Sequence, residues 1–128
     1  MPASLRIELF PASLGVFLDF YTRILGFEVL KQQGTYAYIK HDNILIGAIE
    51  SPTSDSIAER AAYRQPKRGV EIVFEVDDVK AERNRVVGMG YKLDADLQVQ
   101  EWGLEDFRLT DPDGYYLRVT NRSQINAA

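Results

Sequence analysis

Trp102-Gly103-Leu104-Glu105-Asp106-Phe107-Arg108-Leu109-Thr110-Asp111-Pro112-Asp113-Gly114-Tyr115-Tyr116-Leu117-Arg118-Val119 is the stretch that decides how the rest of the chain is read. Two runs rich in aromatic and branched residues flank Asp111-Pro112-Asp113-Gly114, where proline presets one turn torsion and glycine accepts a left-handed one. The pattern predicts a β-hairpin. Side chains alternate across a strand, so Phe107 and Leu109 share a face with Tyr115, Leu117 and Val119. Asp106, Arg108, Thr110, Tyr116, Arg118 and Thr120 fall on the other. One face is apolar and the second carries charges and a phenol, so that second face either meets bulk water or lines a polar cavity.

Working back to the N-terminus, Leu5-Arg6-Ile7-Glu8-Leu9-Phe10 alternates strictly and predicts a half-buried strand with Leu5, Ile7 and Leu9 toward a core. Ser13 is placed to cap a helix whose apolar positions Leu14, Phe17, Leu18, Tyr21 and Leu25 recur at three- and four-residue steps, and Gly26 stops it. Strands are expected over residues 27–30, 36–39 and 44–49, with turns at Gln32-Gln33-Gly34 and Asp42-Asn43. Residues 51–69, rich in proline, serine and charge, read as a connector in which residues 57–63 form two helical turns. The pattern then restarts. Residues 70–76 form a strand with Ile72, Phe74 and Val76 on one face and Glu71, Val73 and Glu75 on the other, and Asp77 or Asp78 caps a helix through Val87. Residues 91–93 and 97–99 are the strands expected before the hairpin. Setting Leu25-Gly26-Phe27 beside Met89-Gly90-Tyr91 gives two copies of one βαβββ unit, with a period of about 65 residues that is too long for a solenoid. The expected organisation is a first module at 4–50, the connector, a second module at 70–121 and a tail at 122–128.

The composition narrows the chemistry. A chain of 128 residues suits one compact domain that buries about two-thirds of its unfolded surface. Without cysteine, disulfides, thiolate metal sites and cysteine nucleophiles are excluded. His41 is the only histidine, expected on a solvent-exposed turn. The charge of -4 and the lack of a basic stripe argue against nucleic acid, and an acidic surface favours a cationic ligand. No apolar run approaches the ~20 residues that span a bilayer, and no signal-peptide pattern opens the chain, so a cytoplasmic location is expected. There is no Gly-x-Ser-x-Gly elbow, phosphate loop or dinucleotide fingerprint.

Phe20-Tyr21-x-x-x-Leu25-Gly26-Phe27 in the first half, and Val76-Asp77-Asp78-Val79, Trp102-Gly103 and Asp111-Pro112-Asp113-Gly114 in the second, resemble the vicinal-oxygen-chelate superfamily of glyoxalases, extradiol dioxygenases, fosfomycin-resistance enzymes and bleomycin-resistance proteins. The resemblance implies an α+β fold of two tandem βαβββ modules forming an incomplete barrel, a ligand in its concave cup, and a homodimer. Catalytic members hold a divalent metal with side chains from the first and last strands of each module. In this sequence Arg6, Glu71 and Arg118 stand at such positions, with Ile46 or Gly47 at the remaining one. One carboxylate and two permanent cations do not supply the three or four lone-pair donors a divalent ion needs. The three are read either as an ionic cluster in the metal's place or as separately solvated surface charges.

Strand alternation sends Glu8, Phe10, Glu75, Asp106, Arg108 and Tyr116 toward the cup, with Tyr36 and Tyr38 beside them, as ligand-binding candidates. Trp102, at the entry to the hairpin, is the residue most expected beside a ligand, against the alternative of a rim tryptophan capping the core. The two tyrosines are equally explained by ordinary strand packing, while Phe17, Phe20 and Tyr21 belong to core and interface. The preferred expectation is a metal-independent drug-binding protein, resembling bleomycin-resistance proteins, that needs no cofactor and sequesters a small molecule such as a cationic or planar antibiotic. The competing expectation is a divergent lyase, isomerase or dioxygenase whose metal is held by Glu8, Glu71, Glu75 and Asp106.

Overall fold

The computed structural model describes residues 2–122. The chain divides between Ser54 and Asp55 into two compact units, each built on a four-stranded mixed sheet. The expected tail at 122–128 lies outside the described residues except for Arg122. No described helix is long and apolar enough to cross a membrane.

In the first unit, β1 (Ile7–Leu9), α1 (Leu14–Asp19), β2 (Glu28–Gln33), β3 (Tyr36–His41) and β4 (Ile44–Ile49) give the sheet order β1-β4-β3-β2, with β1 parallel to β4 and the other pairs antiparallel. Ser13 caps α1 by accepting from the Val16 N–H (3.3 Å), a contact worth about 1 kcal/mol. Glu50, just past β4, accepts from the Leu14 N–H (2.8 Å) and so fastens the helix start to the sheet's end. The helix then widens into a π turn over Phe20–Ile24, where the Leu25 N–H reaches the Phe20 carbonyl (3.2 Å) and the Thr22 hydroxyl donates to the Leu18 carbonyl (2.6 Å). Phe17, Phe20, Tyr21, Ile24 and Leu25 are all buried. A chain of ring contacts runs from Phe17 through Tyr21 (4.4 Å) and Phe27 (5.6 Å) to His41 (5.4 Å) at the end of β3.

Three expectations for this unit are corrected. The β1–β4 ladder starts only at Ile7, so Leu5 has no strand partner and is 78% exposed instead of facing a core. Gln32 and Gln33 are not a turn: they pair with Ala37 and Tyr36, because β2 is an exposed edge strand on which polar side chains cost nothing, and the reversal tightens to Gly34-Thr35. His41 is a strand residue, half-buried against Phe27, and not a solvent-exposed turn residue.

The second unit comprises α2 (Ile57–Arg64), β5 (Glu71–Val76), α3 (Val79–Gly88), β6 (Ala95–Val99), β7 (Glu105–Thr110) and β8 (Tyr116–Asn121), with sheet order β5-β8-β7-β6. Ile72, Phe74, Phe107, Leu109, Leu117 and Val119 are buried on one face, as alternation requires. Asp78 is the residue that caps α3, accepting from the Ala81 N–H (3.0 Å). Residues 91–93 form no strand: Tyr91 instead donates its phenol to the Thr110 carbonyl, and β6 begins only at Ala95. Burial pushes the Tyr91 phenol above its ordinary range, and the Asp111 and Asp94 carboxylates add to the shift.

The Asp111-Pro112-Asp113-Gly114 turn is held from both sides. Asp111 Oδ1 accepts from the Asp113 and Tyr115 N–H groups (2.8 and 2.9 Å). Helix α2, entered through the Ser56–Glu59 capping box, lies across the turn: Arg60 pairs with Asp113 (3.2 Å, both buried), Arg64 donates to the Asp113 carbonyl (3.0 Å), and Gln65 donates to the Gly114 carbonyl (3.2 Å). Gly114 has φ 92°, and a Cβ there would stand 2.7 Å from the Ala61 backbone nitrogen.

Candidate functional site

The polar face of the second sheet carries the densest set of interacting charges. Its register aligns Glu71 with Tyr116, Val73 with Arg118 and Glu75 with Thr120 on one side, and Arg108 with Arg118 and Asp106 with Thr120 on the other. Arg108 and Arg118 are therefore cross-strand neighbours, an arrangement that costs free energy unless counter-charges sit beside it. Two carboxylates do. Glu71 lies 3.3 Å from Arg118 Nε and 3.8 Å from Arg108 Nε, while Asp106 Oδ2 lies 3.8 and 3.9 Å from Arg118 and Arg108.

These are charge contacts, not finished hydrogen bonds. Asp106 is only 2% exposed, yet its Oδ2, together with Nε of Arg108 and Nε of Arg118, is buried with no hydrogen-bond partner in the described protein. The other Asp106 oxygen accepts from Gln100 Nε2 (2.9 Å). Gln100 also closes the loop ahead of β7: its N–H donates to the Leu104 carbonyl (2.8 Å), and its carbonyl accepts from the Gly103 N–H (2.9 Å). That loop presents Trp102, 58% exposed, with the Arg118 guanidinium 5.8 Å from its ring centre.

The structure thus brings together Glu71, Asp106, Arg108, Arg118 and Trp102 among the predicted residues, with Tyr116 on the same face next to Glu71 and Glu75 farther along β5. Gln100 was not anticipated from sequence. It sits in a turn, where alternation gives no orientation, and its only signal is an amide two positions before Trp102.

The remaining candidates belong to the first unit. Arg6 pairs with Glu8 (3.1 Å) and lies 5.4 Å from the centre of the Tyr38 ring. Glu8, Tyr38 and Gly47 are register partners on adjacent strands, and Tyr36 continues the same face opposite Ile49. Glu8 lies flat over Gly47: a Cβ on residue 47 would fall 1.8 Å from Glu8 Oε2, an atom that is itself buried without a hydrogen-bond partner. Phe10, one residue past β1, is exposed.

A divalent ion is poorly served by either unit. Among the described residues no group of three or more histidine, cysteine, aspartate or glutamate side chains comes together to hold one. Glu71 and Asp106, the two carboxylates of the second unit's cluster, each face two guanidiniums, which would repel a cation. The residues present do not fit the metal that catalytic relatives hold.

Comparison with known proteins places these observations. The family model described as Glyoxalase/Bleomycin resistance protein/Dioxygenase superfamily matches residues 5–119. No curated protein sequence matches the chain. Among solved structures, TioX from Micromonospora sp. ML1 is similar over 95% of this chain and 100% of its own, with 18% identity and a TM-score of 0.76. A bleomycin-binding protein complexed with bleomycin covers 95% and 100% with 19% identity and a TM-score of 0.74. A bleomycin resistance determinant encoded on transposon Tn5 covers 95% and 99% with 16% identity and a TM-score of 0.75. At these identities the likeness speaks for the fold.

Proposed function

The chain belongs to the glyoxalase/bleomycin resistance protein/dioxygenase superfamily, and from that premise we propose that it is a metal-independent binding protein that sequesters a small molecule on the polar face of its sheets. One observation carries the reading: the position on β5 where metal-using relatives keep a ligand is Glu71, and its carboxylate is committed to Arg118 and Arg108. Sequestration needs affinity alone, so replacing metal ligands by guanidiniums removes nothing such a protein requires. The structure of a bleomycin-binding protein with its drug, built on the same fold, supports a guest of antibiotic type. An exposed tryptophan beside a guanidinium supplies stacking area for a planar guest. On this reading the protein acts as a homodimer in the cytoplasm and has no need of a cofactor.

A thermal-shift screen with planar and cationic antibiotics, bleomycin among them, tests the proposal with and without a chelator. A ligand at about 100 times its Kd stabilises by about 2.7 kcal/mol, which raises the midpoint by several degrees. The expected result is such a rise with at least one antibiotic, undiminished by chelation. A rise with divalent metal alone, and with none of the antibiotics, would favour the enzymatic alternative and defeat the proposal.

A further inference from the structure

The hydrogen-bond inventory of the second unit's polar face specifies its guest more closely, on the reading that this face is a binding site. Each guanidinium carries five N–H donors, and neither Arg108 nor Arg118 completes a hydrogen bond to any described residue. The acceptors are scarcer. Asp106 Oδ1 is taken by Gln100, Asp106 Oδ2 lies against both guanidiniums, and the Glu71 oxygens face their Nε atoms. Donors outnumber acceptors, so a guest improves this face by bringing lone pairs and not by bringing further N–H groups. Planar guanidinium forks match a carboxylate with two parallel bonds.

The counter-charges do not cancel this preference. Glu71 and Asp106 lie alongside the arginines and keep two like charges adjacent on neighbouring strands, which readies both for one acceptor group. A cation approaching the same spot would meet two guanidiniums whose carboxylates are already engaged. Trp102, exposed and within 5.8 Å of Arg118, supplies the apolar contact next to the charged one.

We infer that the second unit's face takes a planar aromatic acid, its carboxylate received by Arg108 and Arg118 and its ring laid against Trp102. The local distribution of donors thereby overrides the hint given by the acidic net charge of -4, which favoured a cation.

Isothermal titration calorimetry with 2-naphthoate, 2-naphthamide and 2-naphthylmethylamine tests the assignment, because the three share a ring and differ in the charge of one group. Naphthoate should bind about 10- to 100-fold more tightly than the amide, with the amine weakest. Arg108→Gln and Arg118→Gln should each weaken naphthoate about tenfold or more, and Arg118→Lys, which keeps the charge and loses the fork, should recover only part of it. Trp102→Ala, at an exposed loop position that folding does not need, should weaken all three compounds alike. Chain Trp102 is the only tryptophan, so quenching of intrinsic fluorescence reports directly on the site. Binding of the amine as tightly as the acid would overturn the carboxylate assignment while leaving a small-molecule site in place. Failure of all three compounds to bind would overturn it as well, and antibiotic shifts insensitive to both arginine variants would place the guest elsewhere.

Discussion

The first unit pairs two neighbouring charges at the start of β1, Arg6 just ahead of the strand and Glu8 within it; the second spreads its charges over three strands. Matched through their registers, Arg6, Glu8, Tyr38 and Gly47 of the first unit occupy the places of Glu71, Val73, Arg108 and Arg118 of the second. In the first, Arg6 and Glu8 are two residues apart and pair at 3.1 Å, and a glycine on β4 makes room for the carboxylate to lie down, which leaves one buried oxygen, Glu8 Oε2, without a hydrogen-bond partner among the described residues. In the second, the same β-strand place holds Arg118, and its charge is met only by side chains from β5 and β7. Among the described residues, one backbone register therefore supports a local ion pair with one unpaired acceptor in one copy, and in the other a cluster with one unpaired acceptor and two unpaired guanidinium Nε donors. Both copies carry unfinished hydrogen bonding; in the second it falls chiefly on guanidinium donors, which suits that face to a guest that brings acceptors.

The largest effect expected from testing that contrast lies at the hairpin turns. Asp113→Ala strands Arg60 in a buried site, at a cost of about 3–5 kcal/mol, whereas Asn43→Ala in the first unit's β3–β4 turn should cost less than about 1 kcal/mol. Urea unfolding of the two variants measures the difference, and near-equal midpoints would mean that α2 does not hold the turn.

A core comparison should show the opposite, near-equality. Ile46 and Leu117 are equivalent fully buried residues, so replacing either by alanine should cost about 2–5 kcal/mol by the same unfolding measurement. A negligible loss at one of them would break the correspondence between the copies.

A single substitution made once in each unit sharpens the comparison. Gly114→Ala meets both a positive φ and a backbone nitrogen at 2.7 Å, for about 2–4 kcal/mol. Gly47→Ala meets only the movable end of Glu8, so the carboxylate swings away and the loss is that of a partly exposed ion pair, below about 1 kcal/mol. Thermal denaturation of both variants should rank them in that order.

The smallest effect concerns the exposed fastening of α3 to β6. Arg83 forms two hydrogen bonds with Asp96 (2.8 and 2.7 Å), and these hold the Asp96 carboxyl down to about 2 from its usual 3.8, with the Leu97 N–H contributing. A carboxyl depressed in the folded state stabilises above its unfolded value and loses that contribution as pH falls through its folded one. The small midpoint gap between the wild type and Asp96→Asn should therefore be constant above about pH 4 and close toward pH 2. A gap unchanged at low pH would show that the pair contributes nothing through this carboxyl.

Strand periodicity made most of the fold legible, because each sheet has one buried face and alternation has only two outcomes. The hairpin faces around Phe107, Leu109, Leu117 and Val119 follow from it directly. It failed where position depends on partners rather than pattern. Leu5 obeys the alternation but lies beyond the end of its ladder, and Gln32 and Gln33 look like a turn but pair at an edge. In the candidate site, alternation placed Glu71, Asp106, Arg108 and Arg118 on one face, yet gave no hint that Asp106 would be nearly inaccessible. Gln100 escaped because its role depends on a loop closing back on itself. The π turn at Phe20–Ile24 was equally silent, since the apolar spacing of an ordinary helix also describes it.

Whether guanidiniums have taken over the place of metal is tested most directly by calorimetric titration of chelator-treated protein with zinc, nickel and manganese in turn. No stoichiometric uptake at micromolar concentrations is predicted for any of them, in the wild type or in Glu71→Gln. One ion bound per chain in the micromolar range, and lost in Glu71→Gln, would contradict the account.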